Sequence, residues 1–243
     1  MIITGALYGG HPKAGSYREV KVLPDRIVTR VRDFAKPAGT WEQEKVIAPP
    51  PPGQIPGRIA VDGDMIYYGA GSTVYARRAK NGQPLWQATV NGTIVTGLTA
   101  GDGKVFVPAG EHSLYCLDAR NGEVQWRYAV GLPILTEPVV SDGKVFFGAM
   151  DGYFRALDVA TGTEVWKHQS SAQQDRYTSA PLWPAVLTGD KVIVAKRPAG
   201  RNQDRNLVAF NQADGKVIWS RRVNPGWAAR IALNSNGDKL YAP

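Results

Sequence analysis

Four segments of this 243-residue chain superpose without a gap: VYARRAKNGQPLW (Val74 to Trp86), LYCLDARNGEVQW (Leu114 to Trp126), FRALDVATGTEVW (Phe154 to Trp166) and LVAFNQADGKVIW (Leu207 to Trp219). Each places a glycine four residues before a tryptophan, as Gly82 and Trp86, Gly122 and Trp126, Gly162 and Trp166, and Gly215 and Trp219. The tryptophans are spaced by 40, 40 and 53 residues, so three units keep one period and the fourth contains an insertion. A tandem period of this length means that each unit is one supersecondary element, stable only when it stacks on its neighbours.

A second shared piece lies upstream of each copy: AVDGDMIYYGA from Ala60, TAGDGKVFVPA from Thr99, VVSDGKVFFGA from Val139 and VLTGDKVIVAK from Val186. Each reads as a short β-rich run, an Asp-Gly or Gly-Asp turn able to adopt positive φ, and a second run rich in Val, Ile, Phe and Tyr. The Gly-x-x-x-Trp half is another hairpin, with alternation before and after its glycine turn. Every unit is therefore four antiparallel strands, A to D, and no long helical period competes with that pattern. Four-stranded units in tandem are the blades of a β-propeller, so the expected fold class is all-β. The recurring tryptophan is then structural, since its ring covers apolar area that a lone sheet leaves open, worth roughly 2 to 3 kcal/mol by burial.

The segments LYCLDARNGEVQW and RALDVATGTEVW resemble the repeat of the pyrroloquinoline-quinone-type propellers, Ala-x-Asp-x-x-x-Gly-x-x-x-Trp, over about residues 55 to 243. Its first position is Ala76, Cys116, Ala156 and Ala209; its second is Asp118 and Asp158, with Arg78 and Asn211 departing from it. The resemblance implies one of two classes. Quinoprotein alcohol or sugar dehydrogenases hold the quinone between a tryptophan and a disulfide of adjacent cysteines, with a calcium ion on carboxylate and amide groups. Non-catalytic relatives, such as the outer-membrane protein assembly lipoprotein, keep the blades and bind partners at the rim. A single cysteine, Cys116, excludes that disulfide and any cysteine-rich zinc site, and it stands where other copies place Ala, as a small core residue. The expectation is a non-catalytic binding or scaffold module without a cofactor, the alternative being part of a quinone- and calcium-dependent dehydrogenase. By resemblance alone, its compartment is periplasmic or extracellular.

The chain divides into N-terminal strands of a partial blade (1–33), a proline-rich connector (34–57), blades at 58–96, 97–136 and 137–179, a blade with insertions at 180–229, and the start of another at 230–243. Strands are expected within MIITGALYGG, SYREVKVL and DRIVTRV, and again at ARIAL and KLYA. The N-terminal strands either complete the last blade of a five-bladed ring or belong to an incomplete propeller. The second is the expectation, because relatives close with about seven or eight blades and identical tryptophan packing preserves the blade angle. An open propeller would leave sheet edges able to pair with another chain.

The net charge of +8 is concentrated towards one end: residues 168–243 carry 11 basic and 5 acidic side chains, whereas 55–167 carry 10 and 11. The B–C turns and D–A connections open on one face of a propeller. There the fourth blade departs from the others through KRPAGRNQDRN (Lys196 to Asn206) and HQSSAQQDRYTSAPLW (His168 to Trp183). These insertions nominate Arg176, Tyr177, Arg197, Arg201 and Arg205, beside Lys196, as a site for an anionic or sugar ligand or a protein partner, through bidentate hydrogen bonds and stacking. No nucleic-acid motif accompanies the charge, so no nucleic acid is expected. The three histidines, His11, His112 and His168, stand at no metal-ligand spacing, and no nucleophile elbow or phosphate-binding loop occurs. Glu111, His112 and Asp151, on short B–C turns, are the nearest to metal or proton-transfer candidates, and the better reading of them is as solvated turn residues. No run approaches the roughly 18 apolar residues that would cross a bilayer, and the first residues lack a secretory-signal pattern, so the chain reads as soluble.

Overall fold

The computed structural model describes residues 59–94, 96–134, 136–169, 185–196 and 205–223, shorter pieces at 231–233 and 239–241, and the backbone of three strands before them. Those three, β1 (Ser16–Val22), β2 (Ile27–Asp33) and β3 (Lys45–Ala48), form one antiparallel sheet. Four four-stranded sheets follow. The first holds β4 (Ala60–Asp62), β5 (Met65–Ala70), β6 (Thr73–Arg78) and β7 (Pro84–Thr89). The second holds β8 (Thr99–Gly101), β9 (Lys104–Ala109), β10 (Ser113–Asp118) and β11 (Val124–Ala129). The third holds β12 (Val139–Ser141), β13 (Lys144–Gly148), β14 (Tyr153–Asp158) and β15 (Glu164–Gln169). The fourth holds β16 (Val186–Thr188), β17 (Lys191–Lys196), β18 (Arg205–Asn211) and β19 (Val217–Val223). Strands β20 (Ala232–Leu233) and β21 (Leu240–Tyr241) pair with each other.

Each of the four sheets runs in sequence order from strand A to strand D, with every neighbour antiparallel. The backbones of successive A strands approach within 8 Å, β4 to β8, β8 to β12 and β12 to β16, so the sheets fan from a common inner edge. This is an incomplete all-β propeller of four full blades with partial sheets at either end, and no helix occurs among the described residues. One difference from expectation stands at the N-terminal end. The stretch 34–57 is more than a connector, because Lys45–Ala48 pairs with β2. Among the described residues, strands β20 and β21 pair with each other and not with β1–β3, in line with the expected incomplete propeller and against a shared fifth blade. The strand expected within Met1 to Gly10 lies outside the described residues.

Alternation explains the core. In β9, Val105 and Val107 pack towards the preceding blade with Tyr67 and Val74, while Phe106 packs towards the following blade with Val145 and Phe147. In β10, Tyr115 and Leu117 take the first side, Leu114 and Cys116 the second. A strand buried on both faces must be apolar almost throughout, which is why the B and C strands read VFVPA and LYCL without polar alternation. Cys116 is fully buried opposite Trp126, the position where Ala76, Ala156 and Ala209 oppose the other tryptophans. The C–D pairing shifts register immediately after each of these small residues, at Ala76/Arg77, Cys116/Leu117, Ala156/Leu157 and Ala209/Phe210. A bulge at that point raises the local twist and re-aims the side chain beside it.

The indole so aimed reaches the next blade. Trp86 Nε1 donates to the Ala119 carbonyl at 2.9 Å, Trp126 to Val159 at 2.9 Å and Trp166 to Gln212 at 3.0 Å. Each acceptor lies in the C–D turn of the following sheet, and the glycine of that turn lies flat against the same ring. A Cβ on Gly122 would stand 2.5 Å from Trp86, one on Gly162 2.6 Å from Trp126, and one on Gly215 2.6 Å from Trp166. These glycines also have φ near +70° to +78°, which costs an L-residue roughly 1–2 kcal/mol. The turn itself is capped where the repeat places Asp: the Arg120, Thr161 and Ala213 amides donate to the side chains of Asp118, Asp158 and Asn211 at 2.9, 2.8 and 2.8 Å. Asn211 thus keeps the role of Asp, and Arg78 in the first blade does not. The Arg120 guanidinium, followed by its backbone amide, holds the Asp118 carboxyl down at about 2.

Two glycines of one blade separate the demand of the turn from that of the docking. Gly103, at φ +70°, has open space where a Cβ would stand, whereas Gly122, at φ +78°, faces Trp86. Gly103→Ala should therefore lose about 1–2 kcal/mol of unfolding free energy, and Gly122→Ala a further 1–3 kcal/mol or so from overpacking. Urea denaturation of both variants measures the difference.

Candidate functional site

The face where B–C turns and D–A connections open is built on side chains that hold the turns in place. After the first blade, the connection carries Gly92, at φ +81°, against the Gly110–Glu111 backbone of the second, where a Cβ would stand 2.6 Å from the Glu111 amide nitrogen. Glu111 accepts the Tyr115 hydroxyl, and Arg127 Nε donates to it at 2.7 Å and to Ser113 Oγ at 3.1 Å. The Tyr115 hydroxyl first, and then Arg127, keep the Glu111 carboxyl below the usual carboxylate range. His112 adopts φ +69°, its amide bonded to Ala109 and its carbonyl to Val130.

The third blade repeats this device with a buried charge. Asp151 pairs with both terminal nitrogens of Arg155, whose side chain is 5% exposed and lies between the rings of Phe147 and Tyr153, 5.6 Å from each centroid. Arg155 Nε makes no hydrogen bond and sits 3.8 Å from Glu164 Oε2, which accepts the Tyr128 hydroxyl of the preceding blade at 2.7 Å. Lys167 Nζ completes the cluster, 3.1 Å from Glu164 Oε1. Burial would raise the Glu164 carboxyl, but the Tyr128 hydroxyl and Lys167 outweigh it and hold it low. A guanidinium taken out of water is tolerated only when paired in this way. Glu111 and Asp151 are therefore committed to neighbouring strands, and no group of three or more His, Cys, Asp or Glu able to hold a metal occurs among the described residues.

Of the nominated basic site, Arg176, Tyr177, Arg197 and Arg201 lie outside the described residues. Arg205 opens β18 opposite Val223, and Lys196 ends β17 opposite Asn206. Register adds two residues that the sequence pattern did not single out: Arg222 pairs with Asn206 and Arg221 with Leu207, at the same end of the fourth sheet. Arg155 and Glu164 were also missed. The available signal was a charged residue in FRALD, where the first two copies place tyrosine, Tyr75 and Tyr115.

A repeat-to-repeat difference marks the D–A connections. Thr136, buried, accepts the Gly148 amide at 2.8 Å and donates to the Gly148 carbonyl at 3.0 Å. Forty residues earlier stand Thr96 and Pro108; proline has no N–H to offer this hydroxyl, and the buried Thr96 hydroxyl makes no hydrogen bond.

With four sheets of sequential A-to-D strands fanned from one inner edge, and a tryptophan carried across each interface, the fold and its face define a propeller of pyrroloquinoline-quinone-like repeats. The sequence pattern described as outer membrane protein assembly factor BamB matches residues 70–235, and the chain belongs to that family. Among solved structures, BamB from Moraxella catarrhalis is similar over 100% of this chain and 96% of its own, at 15% identity and a TM-score of 0.61. The quinohemoprotein alcohol dehydrogenase from Comamonas testosteroni matches 76% of this chain, which spans 38% of that enzyme, at 19% identity and a TM-score of 0.58. The computationally designed Ika8 protein matches 96% of this chain and 66% of its own, at 15% identity and a TM-score of 0.66. At these identities the likeness is one of fold. A comparison with curated protein sequences finds no match.

The threonine pair gives a direct test of the face's polar accounting. Thr136→Val strands a buried amide and should cost about 1–3 kcal/mol, whereas Thr96→Val removes an orphan hydroxyl and should be neutral or stabilising. Thermal melts of the two variants, compared side by side, read the contrast.

Proposed function

We propose that this chain is a non-catalytic binding or scaffold module that engages a protein partner or an anionic or sugar ligand, in a periplasmic or extracellular setting. The observation that carries this reading is the family match over residues 70–235, to a family described as an assembly factor. The register of the fourth sheet supports it, because Lys196, Arg205, Arg221 and Arg222 converge on one end of that sheet, next to the expected basic insertions. Guanidinium groups recognise carboxylates, sulfates or phosphates by paired hydrogen bonds, the chemistry that a strand end rich in Arg and Lys would offer. No helix among the described residues is long and apolar enough to cross a membrane, a statement that leaves strand-based spans untouched. Replacing Arg197, Arg201 and Arg205 together with Ser should lower retention on an anionic polysaccharide column; unchanged retention would remove the ligand part of the reading.

The second reading, part of a quinone- and calcium-dependent dehydrogenase, draws on the fold shared with the alcohol dehydrogenase. Among the described residues the donor set argues against that group. Its one cysteine is buried between blades opposite Trp126, and burial pushes the thiol up to about 12, so it offers neither a disulfide partner nor a thiolate. The carboxylates of the described face are committed to Arg127, Arg155 and Lys167. Titrating the purified chain with quinone and Ca2+ should leave the quinone absorbance and the melting temperature unchanged; a saturable rise in either would favour the dehydrogenase.

A further inference from the structure

Asparagine followed by glycine is the dipeptide most open to spontaneous deamidation, because the glycine nitrogen carries no Cβ past the carboxamide it attacks. Three such pairs lie among the described residues: Asn81–Gly82, Asn91–Gly92 and Asn121–Gly122. The first and third occupy the same C–D turn in the first and second blades and are held alike. The Gln83 and Glu123 amides donate to Asn81 Oδ1 and Asn121 Oδ1 at 3.1 and 3.0 Å, and the Gly82 and Gly122 amides donate to the Arg78 and Asp118 carbonyls at 2.8 and 2.9 Å. Both glycines are buried. Attack there requires carboxamide and glycine amide to leave their bonds together, which means opening the turn.

Asn91–Gly92 stands elsewhere, in the D–A connection between the first and second blades. Its span is tied at both ends, where the Val90 amide donates to the Ser72 carbonyl at 2.9 Å and the Ile94 amide to the Gly71 carbonyl at 2.8 Å. Between these anchors Asn91, Gly92 and Thr93 are exposed, and among the described residues neither the Asn91 carboxamide nor the Gly92 amide makes a hydrogen bond. Packing nevertheless demands the glycine, which lies at φ +81° with no room for a Cβ against the Gly110–Glu111 backbone. The close contact between blades therefore keeps the reactive dipeptide in place, whereas the matching connection after the second blade has Gly131–Leu132.

We propose that Asn91 deamidates spontaneously in the folded chain and that the product loosens the contact between the first two blades. The Gly92 nitrogen bonds to Asn91 Cγ as the Cγ–Nδ2 bond breaks; the glycine amide gives its proton to solvent, and the leaving nitrogen takes one from solvent and departs as ammonia, leaving a cyclic imide. Water then opens the imide at either carbonyl, its hydroxyl going to carbon and its proton to nitrogen, to give aspartate or isoaspartate. No oxidant or reductant takes part. Both products set a carboxylate beside the turn that carries Glu111, and isoaspartate inserts a methylene into the main chain where Gly92 abuts the Gly110–Glu111 backbone. The change needs no partner and is independent of what the face binds.

The test holds the full chain at mildly alkaline pH and body temperature, with and without concentrated urea, and follows each asparagine by fragment-ion mass spectrometry. In the folded chain Asn91 should convert about tenfold or more faster than Asn81 and Asn121, whose turns must open first. In urea the three should convert at similar rates, since only the dipeptide chemistry remains. On incubation the melting temperature of the folded chain should fall by about 2–4 °C, while that of Asn91→Gln stays where it began. An Asn91 that remains intact in the folded chain while converting in urea, or three alike rates in the folded chain, overturns the site. Full conversion with no fall in melting temperature overturns the loosening of the contact.

Discussion

The structure depends on an indole that leaves its own sheet. A four-stranded sheet of three- to seven-residue strands has two apolar faces and cannot hide either alone. Here each of the first three blades gives one tryptophan to the next, where the ring covers a bare glycine and the ring nitrogen meets a turn carbonyl. Both contacts need the glycine: any Cβ would occupy the ring's space, and the turn that presents the carbonyl needs positive φ at that residue. Burial of the ring, worth roughly 2 to 3 kcal/mol, and a hydrogen bond of about 1 kcal/mol then recur at each of these interfaces. The spacing from tryptophan to acceptor is 33 residues at the first two interfaces and 46 at the third. The difference equals the excess of the last tryptophan spacing, so the insertion leaves the joint unchanged.

Once the joint is fixed, the remaining choices follow from local geometry. A small residue must oppose each tryptophan, which is why Cys116 alternates with three alanines and stays a packing residue. Asp118, Asp158 and Asn211 cap the turn from within, and the first blade does without that cap at Arg78. On the opposite face the blades differ freely, because nothing in the joint constrains them. The second blade ties its B–C turn with Glu111, Tyr115 and Arg127, and the third uses Asp151, Arg155 and Glu164 to join two blades through Tyr128.

The blades were legible in the sequence because their constraint is periodic: Gly-x-x-x-Trp and Asp-Gly recur at one spacing, and each residue in them meets a single physical demand. The N-terminal sheet was legible only in part. Strand Lys45–Ala48 runs directly into the proline run Pro49–Pro52, within a stretch that reads as connector, and its place in a sheet depends on pairing with β2 rather than on its own pattern. The ion cluster of Arg155 was not legible, since it joins residues brought together by register, and a lone Arg in an apolar strand does not announce its partners. The gathering of Arg221 and Arg222 beside Arg205 likewise came from strand pairing. The family was visible in the repeat, whereas the proposed binding role rests on rim residues that the repeat leaves free to vary.

Hydrogen exchange of the tryptophan indoles, followed by NMR, tests the joint most directly, because exchange of a hydrogen-bonded indole needs the interface to open. The account predicts that the Nε1 protons of Trp86, Trp126 and Trp166 exchange slowly, with the opening of their interfaces, and that of Trp219 exchanges much faster. Four indoles exchanging at one fast rate would contradict it.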